Sequence, residues 1–179
     1  MPKWFLYVAL FFLVACAAKR PTEGQSVSVG YLVTGTLTTS QSYCGGAAPT
    51  PEMEEWYSQQ RPMQCAVYVR KGATNDPSQP LIDSTVTDTL GRFSFRLPPG
   101  DYTLITAEQR DPAIMATIAA MESPTLSVDT ACLRRWFTAG TFQLQGLSAD
   151  TSGLNRNFHK RCFVPYSMGC LRYSGAYPP

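Results

Sequence analysis

Residues 87–104 read Thr87-Asp88-Thr89-Leu90-Gly91-Arg92-Phe93-Ser94-Phe95-Arg96-Leu97-Pro98-Pro99-Gly100-Asp101-Tyr102-Thr103-Leu104, and this stretch decides the fold class. Phe93, Phe95 and Leu97 alternate with Arg92, Ser94 and Arg96, the period-two pattern of a strand with one apolar and one polar side. Gly91 suits positive φ in the turn leading in, and Pro98-Pro99-Gly100 makes the reversal leading out. Tyr102 and Leu104 resume the alternation, so a hairpin-like pair of half-buried strands is predicted.

The same reading extends outward. Val27, Val29, Tyr31, Val33 and Leu37 alternate with small polar residues, which predicts a long strand over 27–37. A second strand is expected over 65–70, where Cys65, Val67 and Val69 share a face. It ends at Lys71-Gly72, before a turn at Asn75-Asp76-Pro77. Residues 81–87 give a third strand. Asp111-Pro112 is a helix start, with Ile114, Met115, Ile118 and Met121 on one face and Ser123-Pro124 as its stop. Residues 129–137 are read as a second short helix or an irregular crossing, 141–147 as a strand, and 151–161 as a polar loop. Fourteen prolines and thirteen glycines cut the chain into short pieces, which suits a mainly β domain better than a helical bundle.

An Asp before a Gly-Xaa-Phe-Xaa-Phe strand, followed by Leu-Pro-Pro-Gly-Asp-Tyr-Thr-Leu, resembles the turn and strands of carboxypeptidase regulatory-like domains. These belong to the transthyretin-like, or prealbumin-like, group. The resemblance covers about residues 27–106 and implies a prealbumin-like antiparallel β-sandwich, here with one or two short helices in the C-terminal half. Such domains are accessory folding or interaction modules, so it implies no catalysis.

At the N-terminus, Lys3 precedes an apolar run over residues 4–14 that closes in Leu13-Val14-Ala15-Cys16. A spanning helix needs roughly 20 apolar residues, and Lys19, Arg20 and Pro21 stop the run short of that. The segment resembles a bacterial lipoprotein signal over 1–15, cleaved so that Cys16 carries the lipid, with ordinary secretory cleavage near Ala18 as the competing reading. Two or three acyl chains anchor stably where one does not. The membrane, through that anchor, is therefore the first expected partner. Ala17 in place of Asp favours the outer membrane of a Gram-negative envelope, by resemblance to lipoproteins sorted there. Residues 16–26 form the lipidated cysteine and a polar tether, and 27–179 the folded domain with its C-terminal segment stapled. The sequences Tyr43-Cys44-Gly45-Gly46 and Tyr173-Ser174-Gly175-Ala176-Tyr177-Pro178-Pro179 are also similar to those of small Bacteroidetes lipoproteins.

Basic and acidic groups nearly balance, at 15 Lys and Arg against 13 Asp and Glu, with no block of either sign. Counterion release needs clustered cations, so nucleic acid is excluded as an expected partner. After Cys16, five of the six cysteines remain. Cys44, Cys132, Cys162 and Cys170, in loop-like or terminal segments, are the disulfide candidates, with three connectivities open. Cys65, on an apolar strand face, is the expected free thiol. His159 and Cys162 have the spacing of part of a metal site, but bridged cysteines would leave no set of ligands, so no metal and no cofactor is assigned. His159, beside Lys160 and Arg161, reads as a solvated loop residue.

Trp56 and Tyr57 form the candidate ligand surface, suited to a sugar ring or a protein partner of the envelope, because aromatic rings supply contact area at low entropy cost. Trp136 reads as core, while Tyr166, Tyr173 and Tyr177 are further candidates for such a surface. Enzymes are disfavoured. Intradiol dioxygenases of related fold use two histidines, and hydroxyisourate hydrolases use more than one with a terminal Tyr-Arg-Gly-Ser. This chain has a single histidine, ends Arg172-Tyr173-Ser174-Gly175, and has no Gly-Xaa-Ser-Xaa-Gly elbow. A non-enzymatic, lipid-anchored binding, structural or accessory module is the expected function.

Overall fold

The computed structural model describes residues 30–176. The signal, Cys16, the tether, Val27, Val29 and Tyr177 lie outside the described residues. The fold is mainly β: two four-stranded sheets pack face to face, with three helices and a small two-stranded sheet beside them.

The first sheet is organised by β1 (Tyr31–Gln41), which pairs antiparallel with β2 (Arg61–Pro62) and β5 (Arg92–Leu97) and parallel with β9 (Thr151–Lys160). The second runs in the order β4 (Leu81–Val86), β3 (Ala66–Lys71), β6 (Gly100–Thr106) and β8 (Phe142–Leu147), antiparallel throughout. Val33, Leu37, Phe93, Phe95 and Leu97 from one inner face meet Val67, Val69, Tyr102, Leu104, Leu144 and Leu147 from the other. That shared apolar layer is the β-sandwich core. The alternation in β5 is complete: Phe93, Phe95 and Leu97 are buried while Arg92, Ser94 and Arg96 are exposed.

Two details of the opening turn explain why its residues are what they are. The Asp88 carboxylate accepts from the backbone N–H groups of Leu90 and Arg92, both at 2.8 Å, closing the loop on itself. Gly91, at φ 73°, lies against the backbone of β1, and its carbonyl accepts from the Leu37 N–H at 2.8 Å. A Cβ there would run into the Leu37 carbonyl oxygen. Gly91→Ala should therefore cost the αL penalty of about 1–2 kcal/mol plus about 1–3 kcal/mol of overpacking. Gly146→Ala, at φ 60° with nothing within 4 Å of the added carbon, should carry only the first part. Urea denaturation of the two variants separates them, and equal losses would remove the close contact from the account. At the other end of β5, the Tyr102 hydroxyl donates to the Pro98 carbonyl at 3.0 Å and ties the Pro98-Pro99-Gly100 reversal to the core.

The sequence-based loop over 151–161 is a correction. Residues 151–160 form β9, the parallel neighbour of β1. Its outward face is polar, and inward Leu154 and Phe158 are separated by Arg156, so period-two apolarity is absent although the ladder is long. His159 consequently sits on a strand and not in a loop.

Helix α1 (Pro51–Ser58) starts on Thr50, whose hydroxyl accepts from the Met53 N–H at 3.4 Å, with proline at the first position. Helix α2 (Ala113–Ala119) begins after Asp111, whose carboxylate accepts from the Ala113 N–H at 2.9 Å; Met121 lies past its end. The crossing over 129–137 is helix α3 (Thr130–Ala139), capped by Asp129 on the Cys132 N–H and ended by Gly140 at φ 66°. Strands β7 (Leu126–Val128) and β10 (Leu171–Tyr173) pair beside α2 and α3 around a second core of Ile118, Leu133, Met168, Cys170 and Leu171, against which Trp136 packs half-buried.

A buried polar knot joins that layer to the sandwich. Arg70 Nε donates to Asn75 Oδ1 at 2.8 Å, and Asn75 Nδ2 donates to the carbonyls of Gln109 at 2.8 Å and Phe137 at 3.0 Å. Gln109 Nε2 donates to the Trp136 carbonyl and its Oε1 accepts from Thr141. The Trp136 and Phe137 carbonyls near the end of α3 thus accept from two amide side chains, Phe137 also from the Gly140 N–H, and the Thr138 carbonyl accepts from the Asn75 backbone N–H.

Cys44 is bridged to Cys162 and Cys132 to Cys170, closing separations of 118 and 38 residues. The unfolded-chain entropy removed corresponds to about 4–5 kcal/mol for loops of this length. Cys65 is free and half-buried against the sandwich core. Burial pushes its thiol up, the Thr87 hydroxyl pulls it down, and the Glu108 charge adds to the rise. A raised thiol is a poor nucleophile at neutral pH. The native Cys16→Ser chain should therefore resist alkylation, and the denatured, unreduced chain should take a single label at Cys65. Labelling at any other cysteine, read by mass spectrometry, would contradict the bridge that contains it.

Candidate functional site

The end of β1 carries Gln41 and continues into Ser42, Tyr43 and the Cys44 loop. The Ser42 N–H donates to the Lys160 carbonyl at 2.8 Å, and the Cys44–Cys162 bridge fixes the loop to the end of β9. Helix α1 buries none of its residues, so it is held here by its aromatic rings. Tyr43 and Tyr57 meet edge to face with centroids 5.6 Å apart, and Trp56 meets Tyr57 in the same way at 4.8 Å.

Hollows of about 510 Å³ and about 430 Å³ share Gln41, Ser42, Tyr43, Gly45 and Tyr57 as lining. Lys160, Arg161 and Val164 complete the first, while Glu54 and His159 help to line the second. A smaller one of about 60 Å³ also touches Tyr57. Gln41 and Tyr57 line all three, and Tyr57 is the aromatic ring they share.

Trp56 is 52% exposed, but one ring face is covered by the Arg61 guanidinium, 3.9 Å from its centroid. Arg61 also donates to the Trp56 carbonyl at 3.2 Å. The ring that faces the hollows is thus Tyr57, with Trp56 and Arg61 as its support. Tyr166 packs into the second core, and Tyr173 stacks on Phe163 with centroids 4.9 Å apart and donates to the Ala176 carbonyl.

Sequence reading nominated Trp56 and Tyr57 and missed Tyr43, Ser42 and His159. Ser40 Oγ lies 2.9 Å from His159 Nδ1, and Ser42 Oγ lies 2.9 Å from Nε2. Asn157 Nδ2 donates to Ser40 Oγ at 2.8 Å, and Thr38 donates to Asn157 Oδ1 at 3.2 Å. The arrangement that gives every proton an acceptor has Ser40 donating to Nδ1 and Nε2–H donating to Ser42. In that tautomer Nε2–H gives Ser42 a proton, while Nδ1 accepts from Ser40, a residue that is only 7% exposed. What the contacts accomplish is to lock the imidazole as one wall of the hollow. The only signal for this in the sequence is the shared outward parity of Ser40 and Ser42 on β1.

Among the described residues, no cluster of three or more His, Cys, Asp or Glu is placed to hold a metal ion, and no helix is long and apolar enough to cross a membrane.

No family model matches this chain, and no curated protein matches it. Among solved structures it is similar to the TIE protein of Bacillus anthracis at 11% identity and TM-score 0.32, covering 73% of this chain and 17% of that one. It is also similar to the shaft pilin SpaA of Lactobacillus rhamnosus GG at 12% identity and TM-score 0.31, covering 74% of this chain and 48% of that one. A 9R-lipoxygenase from Cyanothece gives 14% identity and TM-score 0.31, covering 80% and 18%. The chain thus spans at most about half the length of these proteins, and likenesses at this level carry no functional argument.

Proposed function

We propose that the chain is a non-enzymatic, lipid-anchored module of the cell envelope that works by binding, with the Tyr43–Tyr57 hollow as its ligand surface. The observation that carries this reading is the convergence of the hollows on Tyr57, walled by a histidine whose nitrogens are both engaged. Aromatic edges beside hydroxyl and amide groups suit a glycan, whose rings have apolar faces and polar rims. Ser40, whose hydroxyl donates to the ring, is 7% exposed and also accepts from Asn157, which supports binding over catalysis.

The resemblance to carboxypeptidase regulatory-like domains is supported by what its residues do here. Asp88 and Gly91 build a turn, Phe93 and Phe95 fill a core, and Tyr102 pins a reversal, so none is left for chemistry. Anchoring through Cys16 in the outer membrane of a Gram-negative envelope completes the proposal; the anchor rests on Leu13-Val14-Ala15-Cys16 and the choice of membrane on Ala17.

Two measurements test it. Cys16→Ser should move the protein from the membrane to the soluble fraction and abolish incorporation of labelled fatty acid; unchanged partitioning and labelling would reject the anchor. A glycan array probed with the native chain and with Tyr57→Ala should give signals that the variant loses. An array without signal, together with a stoichiometric protein recovered from native membranes, would replace the glycan with a protein partner.

A further inference from the structure

The outward face of the first sheet carries a polar stripe that divides into two halves. At one end, Gln60, Thr38, Asn157, Ser40, His159 and Ser42 are joined to one another by hydrogen bonds. At the other, Arg92, Thr36 and Asn155 stand side by side across β5, β1 and β9, with the pair Ser94 and Thr34 in the next outward row. None of these five side chains has a hydrogen-bond partner among the described residues.

They surround a depression of about 540 Å³. Its cause is local to β9. The ladder steps from Val33↔Thr151 to Gly35↔Leu154, so Ser152 and Gly153 together oppose Thr34 as a bulge, with Gly153 at φ 77°. Bulges re-aim side chains and interrupt pairing. Gly153 also presents no side chain, and a Cβ on it would meet open space.

The chemistry is specific. Three hydroxyls and one amide form a flat grid, spaced by about 4.8 Å between strands and about 7 Å along them. Arg92 brings a planar fork of donors, which matches a carboxylate. Asp88 also lines the depression; its Oδ1 accepts from the N–H groups of Leu90 and Arg92, and its remaining charge opposes an acid, so an acidic ligand depends on Arg92. Val86, 67% exposed, supplies an apolar shoulder. Phe93 is the one aromatic residue in the lining and is only 4% exposed, so it offers no wall for a base, and there is no second cation for a polyphosphate.

We propose that this depression is a binding subsite for an acidic sugar residue, its carboxylate on Arg92, its hydroxyls on Thr34, Thr36, Ser94 and Asn155, and its C–H face toward Val86. The subsite uses none of the residues of the Tyr57 hollow, so it stands or falls apart from that reading.

The probe is digalacturonate, too short to span both places, with its methyl ester as the neutral control. Both are titrated into the Cys16→Ser chain and followed by the Asn155 side-chain amide resonances and by calorimetry. The acid should bind and the ester should bind at least about tenfold more weakly, a difference of about 1.4 kcal/mol. Arg92→Gln and Thr36→Val should each weaken the acid by about tenfold or more while leaving the melting temperature in place, since both side chains lie outside the core. Tyr57→Ala should leave it unchanged. Absence of binding to the wild-type chain, equal affinity for acid and ester, or undiminished binding by Arg92→Gln would overturn the proposal. So would loss in Tyr57→Ala equal to or greater than that in Arg92→Gln, which would place the ligand at the aromatic hollow.

Discussion

Replacing Asn75 with alanine should lower the stability of the protein by about 3–5 kcal/mol, although the residue lies in a turn far from either sheet's inner face. The side chain is 2% exposed and makes three hydrogen bonds, one from Arg70 Nε and two to the carbonyls of Gln109 and Phe137. Truncation orphans Arg70 Nε and the Gln109 carbonyl, while the Phe137 carbonyl keeps the Gly140 N–H, and each orphaned group costs about 1–3 kcal/mol, reduced where water enters the space. Asn75→Asp refines the test. It restores an acceptor for Arg70 but sets a carboxylate against two carbonyls, so attraction at one end is offset by repulsion at the other. Thermal and urea unfolding should place Asn75→Asp well below the native chain. A loss under about 1 kcal/mol for Asn75→Ala would mean that the knot does not hold α3 against the sandwich.

That knot also marks where sequence reading stops. Asn75 was legible as a turn residue because Asn-Asp-Pro punctuates the chain between strands, and the turn is there. Its second role depends on partners 34 and 62 residues away, at Gln109 and Phe137, and no local pattern carries that. Residues 129–137 were legible only as a second short helix or an irregular crossing, and not as a helix whose end takes outside donors.

The strands divide along the same line. β5 and β6 were readable because Phe93, Phe95 and Leu97 on one and Tyr102 and Leu104 on the other alternate with polar residues, and their turn residues have backbone reasons for being Asp, Gly and Pro. β9 was not, because its inward positions alternate between Leu154, Arg156 and Phe158, and its bulge at Ser152 and Gly153 shifts the period. Missing β9 hid the candidate site as well. Ser40 and His159 are 119 residues apart and meet only because β9 lies parallel to β1. The aromatic pair Trp56 and Tyr57 was visible from composition, but the covering of Trp56 by Arg61 and the approach of Tyr43 were not.

Phe95 offers the most direct test of the sandwich itself. Its ring is 4% exposed and packs among Phe93, Val33 and the inner face of the second sheet, so Phe95→Ala removes a ring from the layer shared by both sheets. The loss combines the transfer of the ring's area with the cavity left behind, about 3–5 kcal/mol. A domain of about 5–15 kcal/mol total stability keeps little margin after that. Arg96, the next residue, points to the opposite face of the same strand and is exposed, so Arg96→Ala should change stability by less than about 0.5 kcal/mol. The two variants occupy adjacent positions on one strand and differ in which side of the sheet they empty. Their melting curves should therefore separate widely, with Phe95→Ala also reducing the yield of folded protein and Arg96→Ala matching the native chain. Equal and small shifts would mean that β5 is solvated on both faces, and two sheets sharing one core could not then be the architecture of this chain.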